Sequence, residues 1–412
     1  MTENIGNPQI RFSGFDDTWE QRKLEEVAEF GKGNGYSKGD LIDNGTPIIL
    51  YGRLYTKYET IIKEVDTFVM PIKGSVYSKG GEVIIPASGE TAEDIARAAT
   101  VENAGVLLGG DLNIIMPAQN INSTFLARSI SNGKPHKELS KKAQGKSVVH
   151  IHNAEIRELD IFFPHKCEQD RIAKYFESLD NLITLHQRKY DKLTKVKKSM
   201  LDKMFPKNGS NVPEIRFKGF SDAWEQRKFG DCVLIQRVGS PRPIEDYITN
   251  DENGVNWIKI GDVAAGSRYI TSTKEKIKPE GVKKSRCVEV GDLILSNSMS
   301  FGRPYIMQIN GCIHDGWLLI RDEKKMFDLE YLLQLLSSDY MFNQYKALAA
   351  GGVVNNLNSE LVQSTIAMIP SLPEQVVIGK FFSKLDNLIT LHQRELEKLK
   401  NLKKACLEKM FV

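Results

Sequence analysis

The chain has 412 residues, too many for one ordinary core, and predicts two or three domains; 56 basic and 53 acidic residues leave a net charge of only +3. No run of about eighteen apolar residues occurs, which excludes a membrane-spanning helix, and MTENIGNPQIRF at the start has neither the basic opening nor the apolar stretch of a signal peptide. Five cysteines (Cys167, Cys232, Cys287, Cys312, Cys406) lie far apart with no CxxC and no Cys/His cluster, so no disulfide framework or zinc site is expected and a reducing cytoplasm is.

In chain order, PQIRFSGFDDTWEQRK (8–23) opens a first body, where TPIILYGRLY (46–55) and GGEVIIPAS (80–88) read as strands bounded by Gly, Asn and Pro. SKKAQGKS (140–147) approaches a phosphate loop, but Ser140 stands where the first glycine belongs. Residues 168–205 contain no Gly or Pro and predict a helix about 60 Å long. Its positions Ile172, Phe176, Leu179, Ile183, His186, Tyr190 and Leu193 alternate steps of four and three, the seam of a coiled coil. The segment 189–207 carries seven lysines and two aspartates, and FPKNGSNVP (205–213) then stops the helix. A second body opens with PEIRFKGFSDAWEQRK (213–228), with strands predicted at NWIKIGDV (256–263) and GDLILSN (291–297) and one helix at DLEYLLQLLSSDYMFNQYKALAA (328–350). A second long helix, 374–411, repeats the seam at Ile378, Phe382, Leu385, Ile389, His392, Leu396 and Leu399. Both seams slip near their ends, at Val196 and Met200 and at Leu402 and Cys406, as at a stutter.

The chain is therefore written twice. The two openings agree at twelve of sixteen positions at an offset of 205, and the helices share LDNLITLHQR at an offset of 206. Between these anchors the bodies diverge, with faint echoes such as GEVIIPASG (81–89) beside GDLILSNSM (291–299). Seams this long cannot stay exposed, and two in one chain most simply bury each other. The expected fold is α/β: two globular α/β bodies joined by two long helices in an antiparallel coiled coil, with a pseudo-two-fold internal duplication. The expected boundaries are 1–163, 164–207, 208–369 and 370–412. His186 and His392 fall on the seam, where partly buried, register-fixing polar residues are expected and a functional acid or base is the alternative.

Catalytic machinery is hard to find. No clear dinucleotide-type glycine fingerprint is present, nor an [DNS]-P-P-[YFW] tetrad of the sort used around a flipped base. ETAED (90–94) has the acids for a divalent cation, but reads better as a solvated loop. Candidate nucleic-acid contacts are more plentiful. Lys141, Lys142 and Lys146, and Lys283, Lys284 and Arg286, are charge clusters suited to phosphates. Two turns offer base-reading side chains: Ser88, Thr91 and Arg97 in the first body, and Ser296, Asn297, Ser298 and Arg303 in the second, with Asn355 and Asn356 further on. Taken singly, each fits an ordinary exposed loop; their comparable places in two bodies point to DNA. The bodies themselves are almost neutral, with thirteen basic and fifteen acidic residues in 24–144, and fifteen and sixteen in 229–350. Contact with DNA must then run through local patches.

RF.GF.D.WEQRK at the head of each body, EQ..I......LDNLITLHQR after Pro164 and Pro370, and the body–helix–body–helix order resemble the specificity subunit of type I restriction–modification systems. The resemblance covers essentially the whole chain. It implies two target recognition domains, each reading one half of a split sequence in double-stranded DNA, and helices that act as a spacer and dock two modification (methyltransferase) subunits. It further implies that those partners bind S-adenosylmethionine, that motor–nuclease restriction subunits use ATP and Mg, and that this cytoplasmic chain holds no cofactor, metal or catalytic residue. Two equivalent partners need two equivalent surfaces, and Leu182, Leu185, Leu388 and Leu391 lie off the seam for them. A rigid spacer sets half-sites roughly one to one and a half DNA turns apart. Two other classes stay open: a coiled-coil scaffold without DNA specificity, and a fused methyltransferase or nuclease with unrecognised motifs.

Overall fold

The computed structural model describes residues 6–143, 148–207, 209–237, 239–263, 266–297, 302–349 and 357–412, with only the backbone of residue 349. It divides into two compact units, Met1–Leu185 with Leu396–Val412, and His186–Glu395, so the division falls inside both long helices.

Each half begins alike. The opening strand Glu20–Lys23 pairs antiparallel with Asp160–Phe163, and Glu225–Lys228 pairs with Ile366–Ile369. The register is equivalent, Glu20 facing Phe163 and Glu225 facing Ile369. Each second strand runs directly into a long helix, Lys166–Lys203 of 38 residues or Leu372–Met410 of 39, so each helix is about 57–59 Å long.

The diverged middles share the topology of one five-stranded sheet. Unit 1 holds a five-stranded sheet in the order Ala28–Lys32, Leu112–Pro117, Glu82–Pro86, Ala99–Val101, Ile61–Ile62, parallel only in its last pair. In unit 2 the order is Leu234–Arg237, Trp317–Arg321, Leu293–Ser296, Pro304–Met307, Tyr269–Ile270, again parallel only in its last pair. GEVIIPASG and GDLILSNSM thus supply the central strand of equivalent sheets. Those strands are apolar at successive positions because both faces are covered: Val83 and Ile85 pack with Phe125 and Leu126, while Ile84 packs with Ile49 and Leu108. Leu293 and Leu295 separate from Ile294 in the same way. A second sheet flanks each, Phe68–Val69, Thr46–Ile49, Ala104–Leu108, Tyr77–Lys79 in unit 1 and Ile248–Thr249, Glu275–Ile277, Val255–Ile258, Gly311–Ile313, Arg286–Val288 in unit 2.

Three predicted elements end early. TPIILYGRLY is a strand only over Thr46–Ile49; a helical turn, Arg53–Thr56, follows Gly52. NWIKIGDV is strand to Ile258, after which Asp262 accepts from the Lys259 N–H (2.8 Å) and closes a 3-10 turn. The predicted helix 328–350 is two, Leu329–Ser337 and Asp339–Ala349. Ser338 breaks it, since its hydroxyl donates to Leu335 O (2.6 Å) and accepts from the Met341 N–H, competing with the backbone ladder.

The long helices pair antiparallel within each unit. In unit 1 Tyr175 meets Cys406 (3.6 Å) and Asp180 meets Lys403 (2.5 Å); in unit 2 His186 meets His392 (3.2 Å) and Lys197 meets Asp386 (2.6 Å). The seam does more than join helices, however. Ile172, Phe176 and Leu179 enter the unit 1 core beside Cys406, Met410 and Phe411, and Ile378 and Phe382 enter that of unit 2 beside Met204 and Phe205, with Leu385 packed against it. Leu396 is buried, whereas Ile183, Tyr190, Leu193, Ile389 and Leu399 are half-buried. An apolar body beside the first turns of each helix competes for the same stripe, and it takes the first positions.

Candidate nucleic-acid interface and its framework

The recurring letters hold one another. Arg11 makes two bonds to Glu168 (2.9 and 2.8 Å) and a third to Asp17 O; Arg216 repeats this with Glu374 (2.7 and 2.8 Å) and Asp222 O. Both carboxylates are 1% exposed, so a planar, two-pronged cation is what their burial requires. The next letter is as fixed. Gln169 donates to Pro164 O (2.9 Å) and accepts from the Asn122 N–H (2.8 Å), while Gln375 donates to Pro370 O (3.0 Å) and accepts from the Asp328 N–H (2.9 Å). Asn122 and Asp328 are the N-caps of Ser123–Ser131 and Leu329–Ser337, so each long helix sets the helix that covers its sheet.

The ends of the long helices complete both cores. Phe411 packs on Phe125 and Phe176 at 5.7 and 5.8 Å, and Phe205 packs on Tyr331 and Trp224 at 5.8 and 6.0 Å. The backbone follows suit: the Ile10 N–H donates to Lys409 O and the Ile215 N–H to Lys203 O, both at 3.0 Å. Sequence reasoning used the opening motif as a marker and missed this role. The signal was available, because R, F and W recur in the openings of both halves and an EQ pair recurs at the start of both long helices.

The turns proposed to read bases leave the equivalent central strands, so their topological places correspond. In unit 1, Ser88 is half-buried, its carbonyl accepting from Tyr55 OH (2.8 Å) and its hydroxyl 3.1 Å from His150 Nδ1. Thr91 caps the turn Ala92–Ile95 by accepting from the Asp94 N–H (3.0 Å). Asp94 also pairs with Arg97, so this acid is already taken up within ETAED. Arg97 lies 6.0 and 5.9 Å from the ring centres of Tyr55 and Tyr58. Tyr51 and Tyr58 are exposed, and His150 and His152 stack nearly parallel at 6.5 Å. Burial pushes the Tyr55 hydroxyl above its ordinary pKa, so it stays a donor. The tyrosines and histidines come from segments about a hundred residues apart, and no sequence spacing announces them.

Unit 2 differs. Ser296 and Asn297, expected to face bases, are turned inward. Ser296 is fully buried and its hydroxyl accepts from the Arg303 N–H (3.1 Å); Asn297 is 8% exposed and its amide donates to Asp315 O (2.8 Å). The Arg303 N–H and the Asp315 carbonyl are backbone groups that need partners, and these two side chains supply them. Arg303, between them and the strand Pro304–Met307, is exposed. Lys283, Lys284 and Arg286 are all exposed in one short stretch, with Lys284 4.9 Å over the Tyr247 ring. Arg242, which the sequence did not single out, is exposed and paired with Asp315 (2.9 Å).

Lys141 is exposed and Lys142 pairs with Glu158 (2.8 Å), both in the last turn of the helix Gly133–Lys142. SKKAQGKS thus starts as helix, unlike a phosphate loop, in which a strand leads into the glycines. Lys146, Ser298, Asn355 and Asn356 lie outside the described residues. Among the described residues no group of three His, Cys, Asp or Glu is placed to hold a metal ion, and no helix is long and apolar enough to cross a membrane. Away from the seam, Leu182 and Leu388 are 43% and 44% exposed, and Leu185 and Leu391 are 46% and 52% exposed.

Comparison with known proteins agrees. The chain is 24% identical over 406 residues to a protein named as the MjaX type I restriction enzyme specificity subunit of Methanocaldococcus jannaschii, covering 94% of this chain and 91% of the relative. It is 25% identical over 285 residues to the MjaVIII specificity subunit of the same organism, covering 65% of this chain and 64% of that one. In fold it resembles the type I restriction–modification S subunit from M. genitalium, with TM-score 0.61, 13% identity and 98% and 99% of the two chains aligned. A chain from a structure of type I complex assembly and conformational transition aligns with TM-score 0.52, 16% identity and 97% and 99% coverage. Residues 16–195 and 221–401 each match the family described as the type I restriction modification DNA specificity domain, so both halves are copies of it and the chain belongs to that family as a DNA sequence-recognition subunit.

Proposed function

We propose that unit 1 and unit 2 each read one half of a bipartite, asymmetric target in double-stranded DNA, and that the paired helices set the unread spacer and dock two methyltransferase subunits. The chain does no chemistry. S-adenosylmethionine, ATP and Mg belong to the methyltransferase and motor–nuclease partners, and the complex works in the cytoplasm. One observation carries the reading: equivalent framework contacts recur in both units, while the turns after their central strands, which share an arginine each (Arg97 and Arg303), otherwise surround it with different side chains. Equal frameworks suit equal partners, and unlike turns suit unlike half-sites. The leucine pairs Leu182 with Leu185 and Leu388 with Leu391 repeat at the offset of 206 and supply two like apolar patches for two like subunits.

In unit 2 the phosphate contacts fall to Lys283, Lys284 and Arg286 and base reading to Arg303; in unit 1 they fall to Lys141 and Arg97, with Thr91 and Ser88 beside it. Nearly neutral bodies bind DNA weakly alone, and the methyltransferase subunits complete the grip. The test is to map methylated adenines across the genome of a strain in which this is the sole specificity chain, expressed with its methyltransferase. The expected result is one split sequence with two unlike constant parts and a fixed unread gap. A continuous motif would sink the two-reader account, and absence of any motif would favour the scaffold reading.

A further inference from the structure

Two cysteines in unit 2 have no part in anything above. Cys287, on the strand Arg286–Val288, stands directly opposite Cys312, on Gly311–Ile313, and their sulfurs are 3.5 Å apart as free thiols. The strand Arg286–Val288 ends its sheet, and Cys287 is exposed there, whereas Cys312 is fully buried between this strand and Val255–Ile258. Directly opposed residues of antiparallel strands have Cα atoms about 4.5–5.5 Å apart, inside the about 4.4–6.8 Å that a disulfide spans. The backbone is already suited to the bond. The other cysteines are placed differently: Cys232 donates to Lys228 O, Cys406 meets Tyr175, and Cys167 is exposed on the first long helix.

We propose that Cys287 and Cys312 are a modification site, closing to a reversible disulfide when the chain meets hydrogen peroxide or an alkyl peroxide. The Cys287 thiolate attacks one peroxide oxygen; an S–O bond forms, the O–O bond breaks, and the departing hydroxide or alkoxide takes up the proton that the thiol released. Cys312 sulfur then attacks Cys287 sulfur. The S–S bond forms, the S–O bond breaks, and the Cys312 proton leaves with that oxygen as water. Two electrons pass from the two sulfurs to the peroxide, and a dithiol reductant returns them. The order of attack follows from the setting: burial pushes the Cys312 thiol up to about 12, so exposed Cys287 meets the oxidant and Cys312 resolves it. The bond ties down the edge strand that carries Arg286, next to Lys283 and Lys284.

The experiment uses the full chain with its partner subunits. It is treated with hydrogen peroxide or with dithiothreitol, alkylated, digested without reduction, and read by mass spectrometry. A Cys287–Cys312 peptide pair lighter by two hydrogen atoms, lost on adding dithiothreitol, is the expected product, with slower amide exchange over 286–288. Cys287→Ser, at an exposed site, should leave Cys312 reduced after the same treatment, and Cys312→Ala should leave Cys287 as a sulfenic acid trapped by dimedone. Cys287 that is still alkylated after peroxide, or that passes to sulfinic acid with Cys312 reduced, overturns the proposal.

Discussion

Asp180 and Asp386 occupy the same letter of the repeated decamer, and their surroundings agree on one side and differ on the other. Each pairs with a lysine of the opposite helix, Lys403 or Lys197, two positions that are themselves equivalent. Toward the body, Asp180 takes Arg128, 2% exposed and stacked 5.0 Å over Phe176. Asp386 instead takes Gln334 (3.0 Å) from the equivalent helix and Arg268 (3.1 Å) from a loop. The contrast teaches that the duplication preserves the contacts helices make with each other, while a body is free to satisfy the same carboxylate with a different donor: Gln334 stands where Arg128 does, and Arg268 joins it from another element. What must be kept is a donor, not its chemical kind.

Cutting the framework tests this most severely. Phe411→Ala and Phe205→Ala should each cost about 3–5 kcal/mol in urea unfolding, because each ring fills the centre of a core. Unequal losses would break the equivalence of the two units. Asp180→Asn should cost about 2 kcal/mol, since it strands a buried Arg128, and the penalty should shrink when Arg128→Met is added. In Asp386→Asn the cations left behind, Arg268 and Lys197, are less deeply buried than Arg128, and a smaller loss is expected from the same titration.

The bodies are compared by DNA binding. Arg303→Ala should lose about 1–3 kcal/mol and relax the choice at one position of one half-site. A loss uniform over all sequences would assign Arg303 to phosphate. Asn297→Ala should instead lower the stability of unit 2, read by denaturation, because it removes the donor to Asp315 O. Lys283→Ala should weaken all sequences alike and reduce the salt slope by about one.

The smallest effect concerns pH. Burial first, then His186 and Lys189, hold the His392 proton affinity below its ordinary pKa of 6.5. The unfolded chain therefore binds the proton more readily. Helix pairing here is at full strength above about pH 6.5 and weakens as pH falls through the lower folded value. His392→Asn should flatten the stability–pH curve of the complex in that window; an unchanged curve would remove the histidine pair from the account.

Much of the architecture was legible. The long helices showed because a four–three apolar rhythm runs through both, and in the first of them thirty-eight residues without Gly or Pro leave no competing structure. The duplication showed because identical letters need no physics to read. Less of the candidate site could be seen. Ser296 and Asn297 look polar and available in sequence, but the Arg303 N–H and the Asp315 carbonyl engage them inside the fold. Tyr51, Tyr58 and His150 belong to segments far apart in the chain, and only folding brings those segments to the same turn.

The amino-acid order alone thus determined two copies, two rods and two unlike bodies, since repetition and periodicity are properties of neighbouring letters. Tertiary structure decided which letters meet: that Arg11 seeks Glu168, that Phe411 closes the first core, that Cys287 faces Cys312. Those are encounters between residues distant in the chain, fixed by the burial of charge and apolar surface, and no local spacing contains them.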